Sequence, residues 1–260
     1  MIIDVNAYLG HWAFRRLRFN TAEGLLKLMD QAGIEKAAVS SLDAVTYRNA
    51  QSGNEEMHEM VERHRDRLVP LAVVNPNYAG WEDDLELCVD EWDMRGVKLH
   101  PNYHDYKLDE ENAAALLSAT SKRDLPVSVS IRVEDERQHH WLMKVPGVSM
   151  IEVAEAVKAF PKVSFVLNYI HFSEATNLIN TLPKYDNFYI DVTAHYMMGS
   201  FSRGVGKVIE RIGAEKVIFG SGMPLRSPQV ALNKINTTEL GEEEMELILY
   251  RNAARLLGIC

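Results

Sequence analysis

The sequence predicts an α/β fold, a (β/α)8 barrel of the TIM type formed by a single domain spanning residues 1–260. Short runs rich in β-branched residues alternate with helical patterns along nearly the whole chain. Eight strand-like runs occur, and 260 residues is an ordinary length for one such barrel. A doubly wound open sheet is the competing architecture, but no G-x-G-x-x-G follows the first strand-like run.

The predicted strands are short apolar runs, most of them bounded by turn-forming or charged residues. In chain order they are Ile2–Val5, Lys36–Ser41, Val69–Asn75, Gly96–His100, Val127–Arg132, Val163–Tyr169, Phe188–Thr193 and Lys216–Ser221.

The helices between these strands carry start and stop signals. Asn20 with Glu23 predicts an N-terminal cap for the first helix, and Gly33 predicts its C-terminal end. Ser227–Pro228 is typical of a cap followed by a first-turn proline, and Glu242–Leu257 predicts the last helix.

Two connections are long, Asp43–Gly53 after the second strand and Val133–Val148 after the fifth. In a barrel, such loops lie at the carboxyl ends of the strands, where a substrate is covered. We therefore expect both loops to border a binding site.

Composition excludes several classes of partner. The net charge is −9 and the sequence has no basic run, which argues against nucleic-acid binding. The apolar stretches are too short to cross a membrane, and Met1–Asp4 lacks the basic start of a signal peptide. The two cysteines, Cys88 and Cys260, have no metal-ligand spacing and are expected to be reduced thiols. These features predict a cytoplasmic protein.

Strand alternation predicts which side chains face the barrel interior. Barrel strands direct successive residues alternately inward and outward, and the apolar members suit the helix layer. On the first strand, Asp4, Asn6 and Tyr8 are expected on one side. The interior near the carboxyl ends is then predicted to hold Asn6, Tyr8, Lys98, His100, Ser130, Arg132 and Asp191.

Such a polar interior favours a binding site, because charged groups are rarely buried without partners. The alternative is that these groups only fill and neutralise the core. For Asp191, a plain ion pair with Lys98 or Arg132 is an equal alternative.

At this point the sequence resembles a known family, the amidohydrolase-related hydrolases of the TIM-barrel fold. The resemblance covers the chain from end to end and consists of six motifs in order. They are Ile2–Gly10, Arg95–Pro101, Leu125–Val127, Pro161–Leu167, Val217–Ser221 and Arg251–Gly258. It implies the same barrel and a hydrolase-type activity, and it also implies a metal centre.

The residues that would form that metal centre differ here. The resemblance implies His-x-His at the end of strand 1, histidines on strands 5 and 6, and an aspartate on strand 8. The corresponding residues are Asn6, Tyr8, Ser130, Tyr169 and Gly222. Zinc needs three or four ligands from His, Cys, Asp or Glu. We therefore expect no cofactor, with a shifted metal site at His11, His100 or His171 as the alternative.

Without a metal, side chains would carry the chemistry. Lys98, Arg132 and Arg226 are predicted to bind a carboxylate or a developing oxyanion. His100 is the candidate general acid–base, since the pKa of a histidine can be tuned near neutrality.

Several of these residues have a plainer alternative. Arg226 could be a solvated arginine at the rim. Tyr8 and Tyr169 are catalytic candidates that would donate hydrogen bonds, or act as acids where neighbouring cations lower their pKa, and the alternative is that they fill the volume of a metal centre. Asn6 is expected to be a hydrogen-bonding spacer next to Lys98 or a water.

Three functions remain open from the sequence. The first is a metal-independent hydrolase, lactonase or lyase that acts on a small carboxylate-bearing molecule. The second is a protein that binds a small anion without catalysis, and the third is a metal-dependent hydrolase with a shifted site. The expected partner is a small, anionic substrate. No sequence feature predicts an interface, so a homo-oligomer is expected only from the general frequency of symmetric oligomers.

Overall fold

The computed structural model describes residues 1–193 and 201–259. All paired strands within them are parallel. The segments are β1 (Ile3–Leu9), β2 (Lys36–Ser41), β3 (Leu68–Pro70), β4 (Ala72–Val73), β5 (Val97–Leu99), β6 (Val127–Ser130), β7 (Phe165–Asn168), β8 (Phe188–Asp191) and β9 (Val217–Ile218).

These segments form one closed barrel of eight strands. They fall into two ladders, β1-β2-β3 and β4 to β9, but only Leu71 separates β3 from β4, so the two are one interrupted strand. At the other seam, the N–H of Val5 donates to the carbonyl of Phe219 at 3.0 Å, and Ala7 bridges to Met223. All eight predicted strands are confirmed, with β1 longer at its carboxyl end than expected.

Helices cover the outside of the barrel. They are α1 (Ala22–Ala32), α2 (Asp43–Thr46), α3 (Ala50–Val61), α4 (Trp81–Glu86), α5 (Glu111–Lys122), α6 (Met150–Ala159), α7 (Phe172–Thr181), α8 (Phe201–Ile212), α9 (Pro228–Asn236), α10 (Glu242–Glu246) and α11 (Asn252–Leu257). A π-helical turn extends α4, and a second one joins α10 to α11. In the described part of the chain, none of these helices has the length and apolarity that a membrane crossing requires.

The start of α1 differs from its prediction by one residue. Thr21 is the N-cap, and its hydroxyl accepts a hydrogen bond from the N–H of Gly24 at 3.2 Å. Asn20 lies one residue before the cap, and its carbonyl accepts from the N–H of Gly10. The predicted end is confirmed, with Gly33 in the left-handed conformation at φ 70°.

The expected long loop at Asp43–Gly53 is mostly helical, and that prediction is wrong. It contains α2 and the start of α3, which the side chain of Asn49 caps. Gly53 is a helix residue at a close contact, since a Cβ atom there would lie 2.5 Å from the N atom of Ala44. By contrast, Val133–Val148 is a loop without helix or strand, as predicted.

The amino-terminal half of the barrel interior is apolar. Its floor consists of Ile3, Val5, Ala38, Leu71, Val166, Tyr189 and Ile218, closed by Ala253 and Leu257. The prediction that Asp4 shares a face with Asn6 is wrong, because the β1–β2 register shifts between Asp4 and Ala7. This bulge lets Val5 and Asn6 both face inward, while the carboxylate of Asp4 accepts from the N–H groups of Asn6 and Ser221.

The two cysteines differ in what the structure describes of them. Cys88 is a free, buried thiol, and burial raises its pKa to about 12. Cys260 lies outside the described residues.

Candidate functional site

A polar layer lies above the apolar floor, at the carboxyl ends of the strands. Its centre is the ammonium group of Lys98, which donates to Oδ1 of Asn6 at 2.8 Å and to Oδ1 of Asn168 at 2.7 Å. Lys98 has almost no exposed surface. Burial lowers the pKa of Lys98 to about 7, although Asp191 and Asp4 act to raise it. The layer therefore has a cation at its centre whose nearest partners are neutral amides.

The carboxylate of Asp191 organises the side chains around that cation. Its Oδ2 accepts from Nδ2 of Asn6 at 2.9 Å, from Nδ2 of Asn168 at 3.1 Å and from the hydroxyl of Thr193 at 2.6 Å. Its Oδ1 accepts from the backbone N–H groups of Tyr169 at 2.9 Å and Thr193 at 3.2 Å. Five donors occupy one carboxylate, so Asp191 fixes the positions of its neighbours.

Asn168 is the main residue of this layer that sequence reasoning missed. It links Asp191, Lys98 and the hydroxyl of Ser128, which also donates to its Oδ1. Alternation along β7 could have found it, since Val166 faces the interior two residues earlier. The residue that matches the family motif is its neighbour, Tyr169.

Tyr8 and Ser130 extend the layer toward the opening. The phenol oxygen of Tyr8 lies 3.5 Å from Oγ of Ser130, and the ammonium of Lys98 lies 5.0 Å from the centroid of the Tyr8 ring. Burial raises the pKa of Tyr8 to about 12, so the phenol keeps its proton. Trp12 and Tyr103 pack near Tyr8 and make that wall aromatic.

Tyr169 holds an unusual backbone conformation. Its φ is +57°, in a region that few residues other than glycine adopt. The conformation is fixed from both sides, because Asp191 accepts from its N–H and Arg132 donates to its carbonyl at 2.9 Å. Burial raises the pKa of Tyr169, while the nearby Arg226 acts to lower it.

Arg132 is held in an ion pair. Its guanidinium donates to the two carboxylate oxygens of Glu174 at 2.6 and 2.9 Å, and Glu174 in turn accepts from the N–H of His171 at the start of α7. This arrangement favours a role in positioning Tyr169, and anion binding by Arg132 stays a prediction.

Arg226 lies inside the opening and is buried, contrary to the alternative of a solvated rim arginine. Only 7% of Arg226 is exposed, and its Nη2 donates to the carbonyl of Val133 at 2.8 Å. Across residues 1–193 and 201–259, no carboxylate lies within ion-pair distance of this guanidinium, and its Nε has no hydrogen-bond partner.

Gly222 provides the space for Arg226. Its φ is +73°, and a Cβ atom at this position would lie 3.0 Å from Nη1 of Arg226 and 3.0 Å from Cγ2 of Thr193. A Cβ atom at Gly222 would make Arg226 or Thr193 shift by a few tenths of an ångström, and the positive φ would strain a residue with a side chain.

His100 lies at the end of β5 and is fully buried. Neither ring nitrogen has a hydrogen-bond partner in the described structure, and its ring centroid lies 5.9 Å from that of His104. Burial, with smaller contributions from His104 and Lys98, holds the pKa of His100 well below its usual value. Burial therefore favours the neutral imidazole at neutral pH, and a catalytic role for His100 stays a prediction.

The other histidines considered as metal ligands lie apart. The side chain of His11 is exposed, with its Nδ1 3.8 Å from Asp43, and His171 begins α7. Among the described residues, no three His, Cys, Asp or Glu side chains come together as a metal site would require.

A family model described as amidohydrolase matches residues 13–259 of the chain. No curated protein sequence matches the chain.

Three similar solved structures illustrate the fold, and two are decarboxylases. A 2,6-dihydroxybenzoate decarboxylase from Rhizobium is 17% identical, with a TM-score of 0.74 over 99% of this chain and 98% of the other. A dihydroxybenzoic acid decarboxylase from Polaromonas sp. JS666, with bound manganese and 2-nitroresorcinol, is 19% identical, with a TM-score of 0.75 over 99% and 96%.

The third is a 4-oxalomesaconate hydratase from Rhodopseudomonas palustris, 16% identical, with a TM-score of 0.72 over 99% and 96%. At these identities the three likenesses establish the barrel fold and leave the reaction open.

Proposed function

The chain belongs to the amidohydrolase family, and we propose that it is a metal-independent member that acts as a hydrolase, lactonase or lyase on a small carboxylate-bearing molecule. The similar structures described above are named as decarboxylases of 2,6-dihydroxybenzoate and dihydroxybenzoic acid and as a hydratase of 4-oxalomesaconate. Decarboxylation and hydration are both reactions of the lyase type. They support the lyase alternative within this proposal.

The buried guanidinium of Arg226 carries the proposal. A charge removed from water is costly unless an opposite charge or several hydrogen bonds compensate it. In the described structure Arg226 has one carbonyl acceptor and the face of the Tyr169 ring, 3.7 Å from its central carbon. A ligand carboxylate would supply the missing counter-charge, and a guanidinium binds carboxylates through two parallel hydrogen bonds.

The hydrogen bonds around Lys98 support a mechanism without a metal. The amide oxygens of Asn6 and Asn168 accept from the Lys98 ammonium, and the Asp191 carboxylate already accepts five hydrogen bonds. A divalent ion at this place would have to displace a cation and break this network. The residues present therefore do not fit the manganese of the Polaromonas relative, and we assign no step to a metal.

The proposed mechanism divides the work among fixed charges and neutral donors. Arg226 would hold the carboxylate at the opening, and Lys98 would stabilise negative charge that develops deeper in the barrel. Tyr8 and His100 are neutral and would act as hydrogen-bond partners or proton carriers for the reacting group. Ser130 and Asn6 would orient the substrate from the side, and Tyr169 would contact it above Arg226.

Binding and turnover can be tested together. Benzoate, 2,6-dihydroxybenzoate and 4-oxalomesaconate would be titrated into the protein by calorimetry and incubated with it for product analysis by mass spectrometry, with and without EDTA. We expect binding and turnover that EDTA leaves unchanged, and loss of both in Arg226→Gln. Arg123→Gln is the matched control. Arg123 lies at the end of α5, and its guanidinium forms an ion pair with Asp90 at the surface.

The other outcomes assign the alternatives. Binding without turnover across the panel would indicate an anion-binding protein. Activity that EDTA removes, with stoichiometric metal in the purified protein, would indicate a metal-dependent enzyme with a shifted site. If no carboxylate binds, or if Arg226→Gln binds as well as the parent, the proposal is wrong.

A further inference from the structure

The loop that follows β1, residues 10–20, is anchored at its base and along its length. The N–H of Gly10 donates to the carbonyl of Asn20 at 2.8 Å, and the N–H of His11 donates to the carboxylate of Asp43 at 2.9 Å. Trp12 is buried beside the rings of Phe14 and Tyr103, each with its centroid 6.1 Å away. The loop is therefore a firm support for the residue that extends from it toward the opening.

That residue is Arg15, and its guanidinium links two other loops. Its Nε donates to Oε1 of Glu134 at 3.0 Å, in the loop after β6. Its Nη2 donates to the carbonyl of Leu225 at 2.8 Å, in the segment after β9. The side chain of Glu134 is only 5% exposed, whereas that of Arg15 is 44% exposed, so the pair is solvated on the arginine side only.

These contacts form a closed ring that includes Arg226, the proposed anion-binding residue. Arg15 bonds to Leu225, which precedes Arg226 in the chain. Arg226 donates to the carbonyl of Val133, and the next residue, Glu134, accepts from Arg15. The ring consists of two pairs of consecutive residues, Leu225–Arg226 and Val133–Glu134, and three hydrogen bonds. It therefore fixes both the backbone and the guanidinium of Arg226.

We infer that Arg15 is a positioning residue for Arg226, holding the anion-binding guanidinium in place without touching the ligand. The inference rests on the proposed function, which gives Arg226 its role. Both contacts of Arg15 end on the segments that determine where Arg226 lies. A lysine could keep the charge but has no rigid fork to bridge Glu134 and Leu225 together.

The first test measures the placement of Arg226 without any ligand. Phenylglyoxal modifies accessible arginines, and mass spectrometry of the peptides gives the rate at each one. We expect Arg15→Gln to raise the modification rate of Arg226 about tenfold, as the loss of a charge-assisted hydrogen bond shifts a local opening equilibrium by about that factor. Arg15→Lys should give an intermediate rate.

Two controls separate positioning from general loosening. Arg16→Gln changes the exposed neighbouring arginine and should leave the rate at Arg226 unchanged. Arg132, held by Glu174, should keep its parent rate in every variant. Equal Arg226 rates in Arg15→Gln and Arg16→Gln would overturn the inference, as would a rise at Arg132 as large as the rise at Arg226. If Arg15→Gln does not fold, Glu134→Ala removes the acceptor of the Arg15 Nε–H group and takes its place.

The second test measures benzoate binding. Arg15→Gln should weaken it about tenfold, whereas Arg16→Gln should leave it unchanged. Equal affinities of Arg15→Gln and Arg16→Gln for benzoate would overturn the inference. If the parent binds no carboxylate, the proposed function fails, while the modification rates still decide whether Arg15 positions Arg226.

Discussion

The guanidinium carbon of Arg226 lies 3.7 Å from the centroid of the Tyr169 ring, so a buried cation rests on an aromatic face. This contact partly compensates the charge, since a desolvated cation–π pair contributes about 2 kcal/mol. It does not replace a carboxylate partner. Tyr169 is itself held in a left-handed conformation, which indicates that the fold orders this pair before a ligand arrives.

An internal carboxylate should block the proposed anion site. In Gly222→Asp, the new side chain would start 3.0 Å from Nη1 of Arg226 and form the missing ion pair. We expect benzoate binding to weaken at least tenfold. Gly222→Asn is the matched control, because it has the shape of aspartate and the same positive φ but no charge. Calorimetry of both variants checks this, and equal weakening in the two would show that space, not charge, is decisive.

The affinity for carboxylates should depend on pH through Lys98. Because burial lowers the pKa of Lys98 to about 7, the ammonium is charged below pH 7 and loses its proton above it. Anion affinity should therefore be constant well below pH 7 and fall by up to tenfold per pH unit above it. Lys98→Met should bind more weakly and remove this slope. Titrations from pH 5.5 to 8.5 measure it, and a parent slope that persists in Lys98→Met would assign the titration to another group.

The stability of the fold should depend on pH through Asp4. Burial raises the pKa of Asp4 to about 7, against about 3.9 for an aspartate in an unfolded chain. Between these values the folded protein retains a proton that the unfolded chain releases, so the free energy of unfolding falls as pH rises from about 4 to about 7.

Asp4→Asn removes this loss. The variant should match the parent near pH 4 and exceed its free energy of unfolding by about 1–3 kcal/mol at pH 8. Urea denaturation at the two pH values measures the difference. Asp186→Asn, at an exposed position, is the control and should follow the parent at both. A constant difference between Asp4→Asn and the parent at all pH values would contradict the assignment.

Asn168 should be important for stability as well as for the site. Its amide forms hydrogen bonds with Asp191, Lys98 and Ser128, so Asn168→Ala removes a partner from each of these buried groups. We expect the free energy of unfolding to fall by about 2–4 kcal/mol, measured by chemical denaturation. Asn177→Ala, on the exposed face of α7, should change it by less than about 0.5 kcal/mol. A loss below 1 kcal/mol for Asn168→Ala would show that the network rearranges.

The fold could be predicted from the sequence because its signals are local. Each strand is a short apolar run between breakers, and alternation placed Lys98, Ser130 and Asp191 correctly inside the barrel. Alternation failed at Asp4, since a bulge depends on how β1 pairs with β2 and leaves no mark within β1 itself.

The candidate site was only partly predictable because its key features depend on distant contacts. Arg226 is buried through the empty space at Gly222 and through the carbonyl of Val133, 93 positions away in the chain. The same holds for His100, whose neutral state follows from complete burial beside His104. Residue identity gives the chemistry that is available, but burial decides the charge state.

The bulge in β1 separates the residues of the apolar floor from the residues of the polar layer. Below it, Ile3 and Val5 pack in the apolar floor, and above it Asn6 and Tyr8 belong to the polar layer. The change from packed core to polar interior occurs between two adjacent residues. Because Asp4 at the bulge accepts from the N–H groups of both Asn6 and Ser221, a substitution that straightens β1 would move the polar layer as well as the floor.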